Sequence, residues 1–193
     1  FEKYKEYTDK YISLKDSIFS NEMMETMSNL KQDFEFSELL INTYSRFLPK
    51  ETIEDGVQYA RAHTANKQHK LEQCLDLIGQ HKFSHHYFQL TSKILLLQTY
   101  FESSLKGNPH QMLFFSNCDA LEKWLRREKI RSVANKKPFI NFIQKSRMLM
   151  RLFLEPDFNK TAVMKVLEGK LNLNPINWLF EKRTEIIQLR KNG

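Results

Sequence analysis

The chain has 193 residues, enough to bury about 70% of its extended surface in a hydrophobic core. Its 15 Phe, 7 Tyr and 2 Trp supply large apolar side chains that a disordered chain lacks, while a net charge of +7 marks it as basic. Only 5 Gly and 5 Pro argue against sandwiches and barrels, which need tight turns every ten residues or so.

Helical periodicity runs along nearly the whole chain. Tyr4, Tyr7, Tyr11, Leu14 and Ile18 form a first apolar stripe, and Met23, Met27 and Leu30 a second. Phe36, Leu40, Tyr44 and Phe47 form a third, ending at Pro49. A helix is expected from Lys50 to Ala65 and another from Lys67 to Ile78. From Ser84 to Ser104, Leu90, Ile94, Leu97 and Phe101 recur at steps of four, three and four, widened by Phe88 and Leu95. Gly107, Asn108 and Pro109 then punctuate the chain, glycine past one helix end and proline opening the next.

The helix expected from Pro109 to Glu128 carries Phe114, Cys118, Leu121 and Leu125 on one face, flanked by Phe115 and Trp124. So short a connection predicts antiparallel packing of these two helices. Prolines 138, 156 and 175 mark further starts. Their stripes are Phe139, Ile143, Leu149 and Phe153; Val163, Val166, Leu167 and Leu171; and Ile176, Leu179, Phe180 and Ile187. No run alternates apolar and polar residues long enough to predict a strand. The expected fold is all-α, about ten helices packed as antiparallel pairs in a single domain covering residues 1–193.

The longest aliphatic run, Ile94 to Leu97, falls far below the ~20 residues needed to cross a bilayer, so no membrane partner is expected. Cys74 and Cys118 each sit in an apolar helical pattern and read as small buried hydrophobes in a reducing compartment, which makes the cytoplasm the expected location. Phe1 stands where an initiating methionine is usual, so the chain reads as a fragment of something longer.

Small residues Ala60, Ala62 and Ala65 precede Leu71, Cys74 and Leu75; Leu97, Tyr100 and Phe101 precede Phe114, Cys118, Ala120 and Leu121. On these residues the stretch from Gln58 to Arg127 resembles a degenerate pair of tetratricopeptide-type (TPR-like) repeats. The whole chain is similar to bacterial helical proteins that carry such arrays. The resemblance implies a right-handed superhelical stack of helix pairs, with a concave face that takes peptides or protein partners.

Catalytic chemistry finds no motif. The five glycines stand singly, so no phosphate loop or dinucleotide fingerprint can be written, and no cofactor is expected. His81, His85 and His86 cluster near a turn, but no cysteine or close carboxylate completes a metal set, and none is assigned. Ser84 beside His85 and His86 is only a neighbour in sequence. Glu51, Glu54 and Asp55 read as first-turn carboxylates complementing the positive end of a helix.

Charge is distributed unevenly: residues 1–119 carry 13 basic against 16 acidic side chains, and residues 120–193 carry 17 against 7. Lys123, Arg126, Arg127, Lys129, Arg131, Lys136 and Lys137 gather around one connection, with Lys145, Arg147 and Arg151 on the next helix. A solvated helix face accounts for such residues most simply. If they share a surface, Arg126, Arg127, Arg131, Lys136 and Lys137 are the expected contacts for another protein with acidic character. Nucleic acid ranks below that partner, since no recognised binding module is present. The function expected is therefore a non-enzymatic interaction or scaffold domain, with nucleic-acid association as the contrasting possibility.

Overall fold

A computed structural model of the chain describes residues 38, 39, 41–43, 45, 50–127, 136–169 and 175–191. Among the described residues the fold is all-helical, with no strand. The helices with placed ends are a 3-10 turn Lys50–Thr52, α1 Ile53–Lys67, α2 Leu71–Gly79, α3 His86–Leu105, α4 Gln111–Arg127, α5 Lys137–Leu154, α6 Lys160–Lys165 and α7 Ile176–Leu189. The stripes expected at Tyr4 to Ile18, at Met23 to Leu30 and on Phe36, Leu40, Tyr44 and Phe47 lie outside the described residues, as do Pro49, Arg131 and Leu171. The chain divides into two compact units, Phe1–Thr99 and Tyr100–Gly193, the boundary falling within α3.

In the first unit, Gly56, Ala60, Ala62 and Ala65 are buried along α1, and these small side chains let a neighbouring helix approach closely. Tyr59, Ala62, Ala65, Cys74, Ile78, Phe88 and Leu95 form the core shared by α1, α2 and the start of α3. The α1–α2 connection lies further along the chain than the apolar pattern indicates. Lys70 N–H donates to the Ala65 carbonyl at 2.9 Å and His69 N–H to that of Asn66 at 2.9 Å, closing the helix with His69 at φ 58°. This is the bond pattern that glycine usually completes. Here a histidine takes the left-handed position, so no glycine or proline announced the turn.

His63 is buried on α1, with its ring 5.8 Å from that of Tyr59. Burial, helped by the positive charge of Lys67, pushes its pKa down from 6.5 to about 4. The unfolded chain takes up this proton near pH 6.5 and the folded chain only near 4, so stability is intact above that range and falls as pH drops through it. The wild-type chain is expected to lose about 2 kcal/mol between pH 7 and pH 5 from this group, at 1.36 kcal/mol per pKa unit. Urea melts of His63→Gln across the same range should show a correspondingly flatter dependence. A slope unchanged by the substitution would mean that His63 is charged in the fold.

In the second unit the expected stripe of α4 is confirmed residue for residue: Phe114, Cys118, Leu121 and Leu125 are all buried. Phe101 meets Phe114 at a ring distance of 5.4 Å and Trp178 at 5.1 Å, and Phe142 meets Trp178 at 5.7 Å. These edge-on and tilted contacts join α3, α4, α5 and α7 in one aromatic core. The glycine expected past the end of α3 is there, with Gly107 at φ 82° and Asn108 N–H reaching back to the Ser103 carbonyl.

Three details differ from the pattern. Pro156 follows the end of α5 at Leu154, and α6 opens instead at Asn159, whose side chain accepts from Ala162 N–H at 2.9 Å. On α7 the buried residues are Trp178, Leu179, Lys182 and Ile186, while Ile176, Phe180 and Ile187 are half-buried. The face is rotated because its anchors include an indole and an ammonium that apolar counting passes over. Ala120, one of the residues on which the repeat resemblance rests, is exposed.

Candidate functional site

Four of the residues expected to contact a partner, Arg126, Arg127, Lys136 and Lys137, fall at the end of α4 and the start of α5. Arg126 and Arg127 are exposed in the last turn of α4, where the helix dipole favours cations. Arg126 also donates to Glu122 at 2.7 Å. Lys136 and Lys137 stand at the opening of α5, the positive end of that helix, where the dipole opposes them. Arg131 lies outside the described residues.

The other basic residues of this half separate into two groups along α5. Arg147 is held between Asp119 at 2.7 Å and Glu122 at 3.6 Å, an ion-pair network that ties α5 to α4. Lys145 and Arg151 border a groove that α6 completes with Lys165, around a hollow of about 420 Å³ floored by Met148, Leu152 and Val166. A second hollow, about 550 Å³, opens beside Phe115, Leu154 and Pro156, and shares Arg151 and Glu155 with the first. Lys137 and Arg151 are separated by about 21 Å along the helix axis at 1.5 Å per residue. The cations therefore form two clusters, one at each end of α5, where the sequence alone suggested one.

The groove was missed because half of it comes from outside the basic run. Met148 and Leu154 are large apolar side chains left 46% and 37% exposed, and neither belongs to the stripe that marks α5 as amphipathic. Two apolar residues off the buried face were the available signal. Arg151 lies over the Phe115 ring at 6.0 Å, so its guanidinium stands at the mouth of both hollows.

Polar side chains gather in three further clusters, around Asp55, Ser103 and Lys182. The Asp55 carboxylate, 3% exposed, accepts from His81 Nε2 at 2.7 Å, Ser84 Oγ at 3.0 Å, Ser84 N–H at 2.9 Å and His85 N–H at 2.7 Å. Asp55 is thus much more than a first-turn charge: it fastens the 81–85 segment and the start of α3 to α1. Ser84 and His81 share the carboxylate but do not bond to each other here, so the order of a nucleophile, base and acid is absent. Burial alone would raise the Asp55 pKa, but the His85 N–H and the His81 and Ser84 donors outweigh it and hold the carboxyl below its usual range. The His85 ring packs on Phe88 at 6.1 Å. Among the described residues, no three His, Cys, Asp or Glu side chains gather as a metal set.

Ser103 does meet an imidazole, His110 Nδ1 at 2.8 Å, and accepts from Asn108 Nδ2 at 3.0 Å. Ser103 is completely buried, so this pair locks the α3–α4 turn and offers no approach to a substrate. Lys182 in turn is enclosed with Glu102 at 3.0 Å, Glu185 at 2.9 Å and the indole N–H of Trp178, which bonds Glu102 at 2.8 Å. Cys74 and Cys118 are both buried, and burial pushes the Cys118 thiol up to about 12 against the pull of Arg147. Among the described residues no helix is long and apolar enough to cross a membrane.

No protein-family model, curated protein or solved structure matches the chain. What it does must therefore be argued from its own surface.

Proposed function

We propose that the chain is a non-enzymatic, cytoplasmic interaction domain whose basic second unit engages another protein through an acidic surface. The observation that carries this is the charge of Tyr100–Gly193, 18 Lys and Arg against 9 Asp and Glu, with Arg126, Arg127, Lys137, Arg151 and Lys165 among its exposed cations. Helix pairs with small residues buried at Ala60, Ala62 and Ala65 also support a TPR-like right-handed stack, extended to about ten helices.

The contrasting reading, binding to nucleic acid, draws on the same cations. Salt separates the two, since neutralising phosphates releases counterions and affinity then falls steeply with salt, whereas a contact with an apolar component responds far less. The test is capture by the immobilised chain at two salt concentrations, with duplex DNA and with cell extract, for wild type and for Arg126→Glu, Arg127→Glu, Lys136→Glu and Lys137→Glu combined. Protein capture lost in the charge-reversed chain, with its circular dichroism unchanged, is the expected result. Capture that survives reversal removes these four residues from the interface, and DNA retained with a steep salt dependence favours the phosphate reading.

A further inference from the structure

We infer that the groove formed by α5 and α6 receives an acidic amphipathic segment of a partner protein, in a proposal that rests on the interaction reading above and gives it a seat. The groove is lined by three cations, Lys145, Arg151 and Lys165, against one carboxylate, Glu155. Its floor is apolar: Met148, Leu152 and Val166 in the first hollow, Phe115 and Leu154 in the second. A purely electrostatic surface has no use for that floor, and a purely apolar pocket has no use for the cationic rim. An occupant that satisfies both carries carboxylates beside large apolar side chains.

The spacing is consistent with one helical segment. Lys145 to Glu155 runs about 15 Å along α5 at 1.5 Å per residue, close to three helical turns. Arg151, on the last turn of α5, and Glu155, just past its end, line both hollows and so stand as a low ridge between them. Two apolar anchors of the occupant would drop on either side of that ridge, as in other helix-in-groove contacts. Met148, unbranched and polarizable, adapts its shape to such an anchor, and it is nearly half exposed while the groove stands open. Arg151 meets the occupant's carboxylate from above Phe115.

The test begins with a displayed library of random dodecapeptides selected on the whole chain. Enriched peptides are then synthesised with fluorescein and titrated by anisotropy against wild type, Met148→Glu, the pair Arg151→Glu and Lys165→Glu, and the four-residue reversal at Arg126, Arg127, Lys136 and Lys137. Enrichment of Asp and Glu beside Leu, Phe or Trp at helical spacing is expected, with affinity weakened at least tenfold by Met148→Glu and by the Arg151 and Lys165 pair. All these side chains are exposed at least in part, so thermal melts should stay unchanged and report that the variants are folded.

Peptides that bind every groove variant as well as wild type overturn the groove. If those same peptides are lost on the four-residue reversal, the interaction reading survives and only its location changes. Enrichment of basic or uncharged apolar peptides overturns the stated chemistry. Failure to enrich any peptide overturns the groove as a peptide site, and duplex DNA that competes for Arg151 while Met148→Glu has no effect replaces the protein partner with a phosphate ligand.

Discussion

Lys182→Met is expected to destabilise the second unit by about 3–5 kcal/mol, the cost of removing one partner from a buried ion pair. Lys182 and Glu102 are 7% and 5% exposed, and the ammonium lies between Glu102 at 3.0 Å and Glu185 at 2.9 Å. Burial by itself would lower the Lys182 pKa, but the Glu102 and Glu185 carboxylates more than reverse this and hold it above the usual lysine range. Methionine matches the stem of lysine closely, so the loss isolates the charge and leaves packing nearly intact. It would take the ammonium away from a carboxylate that keeps the indole N–H of Trp178. Glu102→Gln made together with Lys182→Met should restore most of the stability, because a neutral amide can accept the same indole N–H. Urea melts of the two single variants and the double variant measure this. A double variant no more stable than Lys182→Met would show that the site depends on the carboxylate itself.

Asp55→Ala is expected to cost the first unit about 3 kcal/mol, since it strips the acceptor from a part-buried imidazole N–H, a hydroxyl and two backbone N–H groups at once. Asp55→Asn should lose roughly half of that, about 1–2 kcal/mol, because one carbonyl oxygen remains to accept. Hydrogen exchange supplies the local readout: the Ser84 and His85 amides should lose protection well before the rest of α3. The carboxyl titrates lower in the fold than in the unfolded chain, so its contribution is present above the unfolded value of 3.8 and is lost as pH falls through the lowered folded value. The gap between wild type and Asp55→Asn should then be constant near neutrality and shrink in strong acid. This window lies below that of His63, whose effect is spent by about pH 4. Equal protection of Ser84 and His85 in wild type and Asp55→Ala would dismiss Asp55 as the fastener.

Local periodicity determined much of this protein. The all-helical class, the buried face of α4 at Phe114, Cys118, Leu121 and Leu125, and the glycine closure at Gly107 each follow from residues a few positions apart, because a helix repeats its environment every three or four residues. The excess of cations in the second half was equally visible, since charge needs no fold to be counted. Tertiary structure decided everything that joins distant segments. His69 closing α1, Asp55 gripping Ser84 and His85, and Lys182 finding Glu102 some eighty residues away all depend on which side chains come together after packing. The same holds for the candidate site: only the packed helices bring Lys165 and Val166 beside Lys145 and Met148 and divide the basic residues between two ends of α5. Hydrophobic periodicity specifies which face of a helix turns inward, but the partner of that face, and the groove left where two helices fail to cover each other, are properties of the assembled fold.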